Sequence, residues 1–112
     1  MAFSEEYLVR AANMGQSSIV SRTYDLRGVD TFKIIADWYD GSGSPAGILT
    51  LESSNNGILY SEIFESAQNI IDDSGFHIWD FPYNPIGLIR VRYVRLSGAG
   101  TMDIRIQLGG AS

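Results

Sequence analysis

The chain contains no cysteine and a single histidine, and these two shortages exclude several kinds of site. Without cysteine there can be no disulfide framework, no thiolate metal site and no cysteine nucleophile. The lone histidine, His77, cannot complete the usual zinc ligand sets, and no G-x-S-x-G segment supplies a serine for a Ser-His-Asp arrangement. We therefore predict no catalytic residues and no enzymatic activity, and we interpret His77 as a structural residue of a strand.

Long apolar runs and an excess of positive charge are also missing. No segment approaches the length of a transmembrane helix, and Glu5 and Glu6 stand where a secretory signal would need positive charge. We therefore expect no membrane association and a product that stays in the cytoplasm where it is made. The 13 acidic and 8 basic residues give a net charge of −5, which repels a phosphate backbone, so nucleic acid is not an expected partner.

Metal-binding patterns are weak in this sequence. Asp72 and Asp73, beside Asn69 and Ser74, offer oxygen ligands that could hold calcium in a loop. They lack the alternating spacing of a known calcium loop, so a solvated turn is the preferred interpretation. No metal and no cofactor are predicted.

The chain does contain enough apolar surface for one core. Apolar residues make up 45% of its 112 positions and aromatic residues 12%, which suits a single domain of this length. Short β-like runs recur at intervals of about ten residues, with glycine, proline and asparagine between them, a spacing typical of antiparallel sandwiches. The sequence thus predicts an all-β fold, an antiparallel β-sandwich or jelly-roll-like domain of about eight strands that spans residues 1–112. The predicted strands are Tyr7 to Ala12, Ser18 to Leu26, Thr31 to Tyr39, Ile48 to Ser53, Ile58 to Phe64, Phe76 to Phe81, Leu88 to Leu96 and Thr101 to Leu108.

Alternation of side chains assigns faces to several of these strands. Met102, Ile104 and Ile106 share one face of the last strand, which predicts one buried and one exposed side. A helical turn at Ser61 to Ile71 competes with the strand reading there, because apolar residues also recur three or four positions apart. The tetrapeptide Ser97 to Gly100 is predicted to be a turn.

A hairpin is predicted at Gly47 to Ile63. Leu49 and Leu51 alternate with polar residues, and Asn56-Gly57 then supplies residues that tolerate positive φ in a tight turn.

Some apolar and aromatic residues fall where a surface is expected. Ile35 lies on the polar side of the strand in which Ile34, Ala36 and Trp38 alternate, which suggests a second contact surface, whereas Trp38 is predicted to be core. Aromatic side chains beside the proline-rich loop at 82–85 can anchor an interface or stack on sugar rings. The candidate interaction surface comprises Ile35, Tyr39, Trp79, Phe81, Tyr83 and Asn84.

Three segments together resemble the small β-sandwich virion proteins of tailed bacteriophages. They are Tyr24-Asp25-Leu26 at a strand start, the hairpin from Gly47 to Gly57, and Arg92 to Leu96 before a short glycine loop. Where many such phage proteins have aspartate and tryptophan around the hairpin glycine, this chain has Asn56 and Tyr60. The resemblance implies a capsid decoration protein or a head or tail accessory, located in the virion, that forms homo-oligomers and binds other virion proteins.

A second resemblance leaves an alternative open. The segments Arg92 to Leu96 and Ile104 to Gly109 are similar to the closing strands of discoidin-type galactose-binding domains, which bind carbohydrate or lipid. This resemblance implies a carbohydrate-binding module in which Tyr39, Trp79 and Tyr83 stack on sugar rings and Asp80 and Asn84 form hydrogen bonds.

Overall fold

The computed structural model describes residues 3–82 and 86–109, and every strand pairing within them is antiparallel. No helix occurs in this part of the chain, so the helical alternative at Ser61 to Ile71 is wrong and the all-β prediction is confirmed. The strands are β1 (Phe3–Asn13), β2 (Ser18–Val20), β3 (Tyr24–Asp25), β4 (Thr31–Ser54), β5 (Ser61–Glu62), β6 (Gln68–Ile70), β7 (Gly75–Phe81) and β8 (Leu88–Gly109).

Two long strands, β4 and β8, form the centre of the molecule. They pair with each other from Thr31 opposite Gly109 to Ser54 opposite Leu88. The pairing is irregular only in the middle, where register shifts occur between Tyr39 and Gly47. Each long strand therefore has two halves, separated by a bend.

The two halves of the β4–β8 pair build two layers. In the first sheet the order is β1, β8, β4, β7, with β1 and β7 at the edges. In the second sheet β2 and β3 flank β8, and β5 and β6 flank β4. The inner faces of both sheets contribute to one buried cluster, which makes the molecule a β-sandwich.

Strict alternation explains which residues form the core. The first sheet contributes every second residue of β4 and β8, and the second sheet contributes its own alternating set. The inward residues of these two strands are Phe32, Ile34, Ala36, Trp38, Met102, Ile104 and Ile106 in the first sheet, and Leu49, Leu51, Ile89, Val91 and Tyr93 in the second. The predicted core positions in these strands, including Trp38, are confirmed.

The prediction of separate strands on either side of the bend is wrong, because glycine there was interpreted as the end of a strand. The segments predicted as separate strands on either side of Ser97 to Gly100 are one continuous strand, β8, and β4 likewise joins two predicted strands. Gly98 has a φ of 73°, and a Cβ there would lie 2.5 Å from the Pro45 Cα. The glycine therefore permits a bend and a close backbone contact without ending the strand.

The predicted hairpin is present in a looser form. Ser53 pairs with Ser61, so the connection spans residues 54–60 and is not a tight Asn56-Gly57 turn. The Ser54 hydroxyl accepts hydrogen bonds from the Asn56 and Gly57 amides, and Asn56 Oδ1 accepts from Ile58 and Leu59. Short polar side chains thus organise a wider loop in place of the two-residue turn.

The predicted Ser18 to Leu26 strand is two short strands with a break at Ser21, whose backbone and side chain bond to Val91 instead. All three residues of the Tyr24-Asp25-Leu26 segment have local structural roles. Tyr24 donates to Glu6, Asp25 accepts from Arg27, and the Leu26 side chain is fully buried.

Candidate interaction surface

The outer face of the first sheet carries a group of apolar side chains, which we call the apolar band: Tyr7, Ile35, Tyr39, Phe76 and Ile78. The sheet register places them as neighbours, because Arg105 pairs with both Tyr7 and Ile35, and Ile35 pairs with Ile78. Phe76 is 67% exposed, Ile78 44% and Tyr39 38%. Large apolar side chains at adjacent exposed positions are typical of a contact surface and not of isolated surface residues.

Charged groups also lie on the outer face that carries the apolar band, among them three carboxylates and one guanidinium. The Arg105 guanidinium lies 3.8 Å from carboxylate oxygens of both Glu5 and Asp37. The Tyr39 hydroxyl donates to Asp103 at 3.2 Å, and burial together with the Asp103 charge raises the pKa of Tyr39. Each carboxylate thus has a cation or a donor beside it, although the buried Arg105 Nε has no hydrogen-bond acceptor among the described residues.

One end of the apolar band also carries a cation. The Arg10 guanidinium lies over the Tyr7 ring, 4.7 Å from its centroid. This contact holds an amphipathic ring at the surface, an arrangement common in protein interfaces.

The outer face of the second sheet has a different character. Glu52 forms a 2.7 Å ion pair with Arg90 and lies 4.0 Å from Arg92. The Arg90 guanidinium also stacks 3.7 Å from the centroid of the Tyr60 ring. The charges there are paired within the chain, and the exposed apolar side chains on this face, Val20 and Val94, are smaller than the aromatic residues of the apolar band.

Two of the predicted surface residues lie on the apolar band. Tyr39 is exposed, as the prediction requires. Ile35 is on the outer face, but its side chain is only 7% exposed, because Arg105 and Ile78 flank it on the neighbouring strands. Ile35 therefore forms the floor of the band and not its contact surface.

The prediction of Trp79 as a surface contact is wrong. Trp79 is 7% exposed, belongs to the core cluster, and donates its indole N–H to the Ser66 carbonyl at 2.9 Å. Phe81 is also turned inward and stacks on Phe32 with ring centroids 4.5 Å apart. Tyr83 and Asn84 lie outside the described residues.

Sequence reasoning missed Tyr7, Phe76 and Ile78. In β7 both faces carry large apolar residues, since Phe76 and Ile78 alternate with Trp79 and Phe81. The alternation therefore separates the two faces of β7 but does not show which of them faces the core. One signal was available in the sequence. Phe76 and Ile78 flank His77, so they share the strand face opposite Trp79 and point outward if Trp79 points inward.

The candidate chemical groups are not gathered into a reactive site. His77 is half-buried, its ring meets the edge of Trp79 at 4.7 Å, and burial lowers its pKa. Within residues 3–82 and 86–109 no three His, Asp or Glu side chains are placed to share a metal ion. In the same ranges no helix is long and apolar enough to cross a membrane.

A polar groove of about 310 Å³ lies at the loop end of the second sheet. Its walls are Ser53, Ser54, Asn55, Asn56, Leu59 and Ser61. Several of its polar groups already bond to the loop backbone, so the groove is mainly a product of the loop's own geometry.

Comparison with known proteins shows similarity in structure only. No family model and no curated protein sequence matches the chain. Among solved structures it is similar to the PBSX exported protein XepA, with a TM-score of 0.68 and 19% identity over 97% of this chain. The chain spans 38% of the length of XepA.

Two further structures share the architecture. The SPBc2 prophage-derived protein YomS has a TM-score of 0.54 and 12% identity, over 96% of this chain and 92% of YomS. A CBM4 structure has a TM-score of 0.52 and 7% identity, over 96% of this chain and 71% of the other. These likenesses confirm the sandwich fold, and the structural neighbours include two phage-derived proteins.

Proposed function

We propose that this chain is a non-enzymatic structural protein of a bacteriophage particle, either a capsid decoration protein or a head or tail accessory. It is made in the host cytoplasm and becomes part of the virion by associating with its own copies and docking on other virion proteins. The observation that carries the proposal is the apolar band on the outer face of the first sheet. The fold shared with the PBSX exported protein XepA and with the prophage-derived protein YomS supports the phage setting.

The composition of the band suits protein contact. Aromatic residues supply large contact area and dominate the energetics of many interfaces. A virion repeats one contact many times, so individually modest interfaces hold through multivalency. The chain needs no catalytic group, metal or cofactor for this role, and its net charge of −5 disfavours nucleic acid as a partner.

The test compares the unchanged protein with the double variant Phe76→Ser/Ile78→Thr by sedimentation over a range of concentrations. We expect the unchanged protein to associate and the double variant to lose at least about tenfold in affinity, equivalent to about 1.4 kcal/mol. Ile71→Ser is the matched control, because Ile71 is 75% exposed but lies outside the band. A strictly monomeric protein that also fails to bind purified virion components would overturn the proposal.

Carbohydrate binding is the second candidate, favoured by the fold shared with a CBM4 module and by exposed tyrosines on a sheet face. Since Trp79 is buried, the stacking residues would be Tyr7 and Tyr39. Glycan-array binding that is lost in Tyr39→Ala, with the circular dichroism spectrum unchanged, would favour it. An array without signal at high protein concentration would count against it.

A further inference from the structure

The two edge strands of the first sheet differ in how well their outer backbone N–H and C=O groups are protected from pairing with another strand. β1 pairs only with β8, and β7 pairs only with β4, among the residues that the structure describes. An edge strand presents unpaired N–H and C=O groups that can accept another strand, and proteins block such edges with bulges, charges or covering side chains.

The β1 edge is blocked in all three ways. Its pairing with β8 has two register shifts, and Ala11, within the second of them, has a φ of 51°. The Arg22 side chain donates to the Tyr7 carbonyl at 3.2 Å. Charged side chains, among them Glu6 and Arg10, lie exposed along the strand. An added strand would have to displace the arginine and follow an irregular backbone.

Of these devices the β7 edge has only one charged side chain, Asp80. Its seven residues pair with β4 in unbroken register from Gly75 to Phe81, so the backbone is regular. It contains no lysine and no proline, and Asp80 is its only carboxylate. Phe76 and Ile78 stand exposed on its outer face, while Trp79 anchors the inner face in the core.

We propose that β7 is the site where a second copy of this chain joins, by antiparallel pairing of β7 with β7 about a twofold axis near Ile78. The pairing extends two four-stranded sheets into one of eight strands. This inference rests on the proposed function and identifies the surface through which the copies associate.

Several observations favour a second copy over a foreign strand. Pairing of identical strands covers both open backbone edges in one closed contact and sets the two Ile78 side chains beside each other. With the axis at Ile78, Asp80 of each copy lies opposite Phe76 of the other, so no like charges meet directly although each chain carries −5. Head-to-tail pairing would need the β1 edge, which is blocked.

Single cysteines test the geometry directly, since the chain has no cysteine of its own. Phe76→Cys, Ile78→Cys and Asp80→Cys place a thiol on the outer face of β7, and Leu96→Cys is the control at an exposed apolar position on β8. Residues directly opposite in an antiparallel pair have Cα atoms about 4.5 to 5.5 Å apart, which is within disulfide reach. Residues four positions out of register are more than about 10 Å apart.

We expect mild oxidation to give disulfide-linked dimers of Ile78→Cys, several-fold above Phe76→Cys, Asp80→Cys and Leu96→Cys, because only position 78 faces itself across the axis. Hydrogen exchange of the unchanged protein provides the second measurement. Amide exchange in β7 should slow as protein concentration rises, and exchange in β1 should not.

The outcomes separate this inference from the proposed function. Association by sedimentation without β7 disulfides and without β7 protection would overturn the β7 contact alone. Concentration-dependent protection of β1 together with β7 would show head-to-tail pairing and would also overturn it. A protein that stays monomeric and binds no virion component would overturn both.

Discussion

A single hydrogen bond from Tyr24 connects β3 of the second sheet to β1 of the first sheet. Its hydroxyl donates to Glu6 Oε2 at 2.6 Å, and Glu6 also pairs with Arg22 at 3.3 Å. The hydrogen bond to Glu6 raises the pKa of Tyr24 to about 12. The same bond, helped by Arg22, lowers the pKa of Glu6. A short tyrosine-aspartate-leucine motif thus ties β3 to β1.

The pH dependence of stability should report this bond. Tyr24 has a higher pKa in the folded chain than in the unfolded chain, so its contribution is complete below about pH 10 and is lost as the pH rises towards 12. We expect Tyr24→Phe to lower the urea midpoint at pH 8 and to flatten the decline between pH 10 and 12.

Glu6→Gln is the matched control, because it keeps an acceptor but removes the charge, and it should flatten the alkaline decline similarly. On the acid side, the Glu6 contribution is lost as the pH falls through its lowered pKa, so both variants should also lose part of the acid dependence. An alkaline decline in Tyr24→Phe as steep as in the unchanged protein would contradict the assignment.

Among the elements, the β5–β6 connection is tied to both sheets by one small residue. The Ser66 hydroxyl accepts from the Leu51 amide at 3.0 Å, and the Ser66 carbonyl accepts from the Trp79 indole at 2.9 Å. Ser66 is buried. It therefore connects the edge of the second sheet to β7 of the first.

Removing that hydroxyl should be costly for a surface connection. Ser66→Ala leaves the buried Leu51 amide without its acceptor, and we expect a loss of about 1 to 3 kcal/mol in the free energy of unfolding. Ser61→Ala, at an exposed serine, should change it by less than about 0.5 kcal/mol. Equal effects of the two variants in urea unfolding would show that the Ser66 contact is not stabilising.

A strand and its buried face can be predicted from the sequence only where the local pattern allows a single interpretation. Alternation alone placed Ile104 and Ile106 inward, because one face of that strand is consistently apolar. It could not show that Gly98 bends a strand without ending it, since glycine allows both outcomes. Nor could it choose the inner face of β7, where Trp79 found a partner, the Ser66 carbonyl, that no local pattern reveals.

At the scale of the whole molecule, contacts between distant parts of the sequence dominate. Thr31 and Gly109 bond across a separation of 78 positions, and Glu5 and Gln107 across 102. Closing such long loops costs entropy before the core contacts form. The candidate surface also belongs to this scale, because four strands must assemble before the apolar band exists.

This topology predicts slow folding. Domains dominated by non-local strand pairing refold in milliseconds to seconds, and we expect this protein to do so. Trp38 and Trp79 are both buried, so stopped-flow tryptophan fluorescence follows the reaction. Completion of the main fluorescence change within tens of microseconds would contradict the expectation.

The sharing of β4 and β8 between the layers has a consequence for how the chain can vary. Because each long strand crosses the bend, no cut along the sequence separates one layer from the other. A gene segment ending at the bend would encode incomplete portions of both. Recombination can therefore exchange this module only as a unit, and inserted sequence is best accommodated in an outer loop such as residues 55–60.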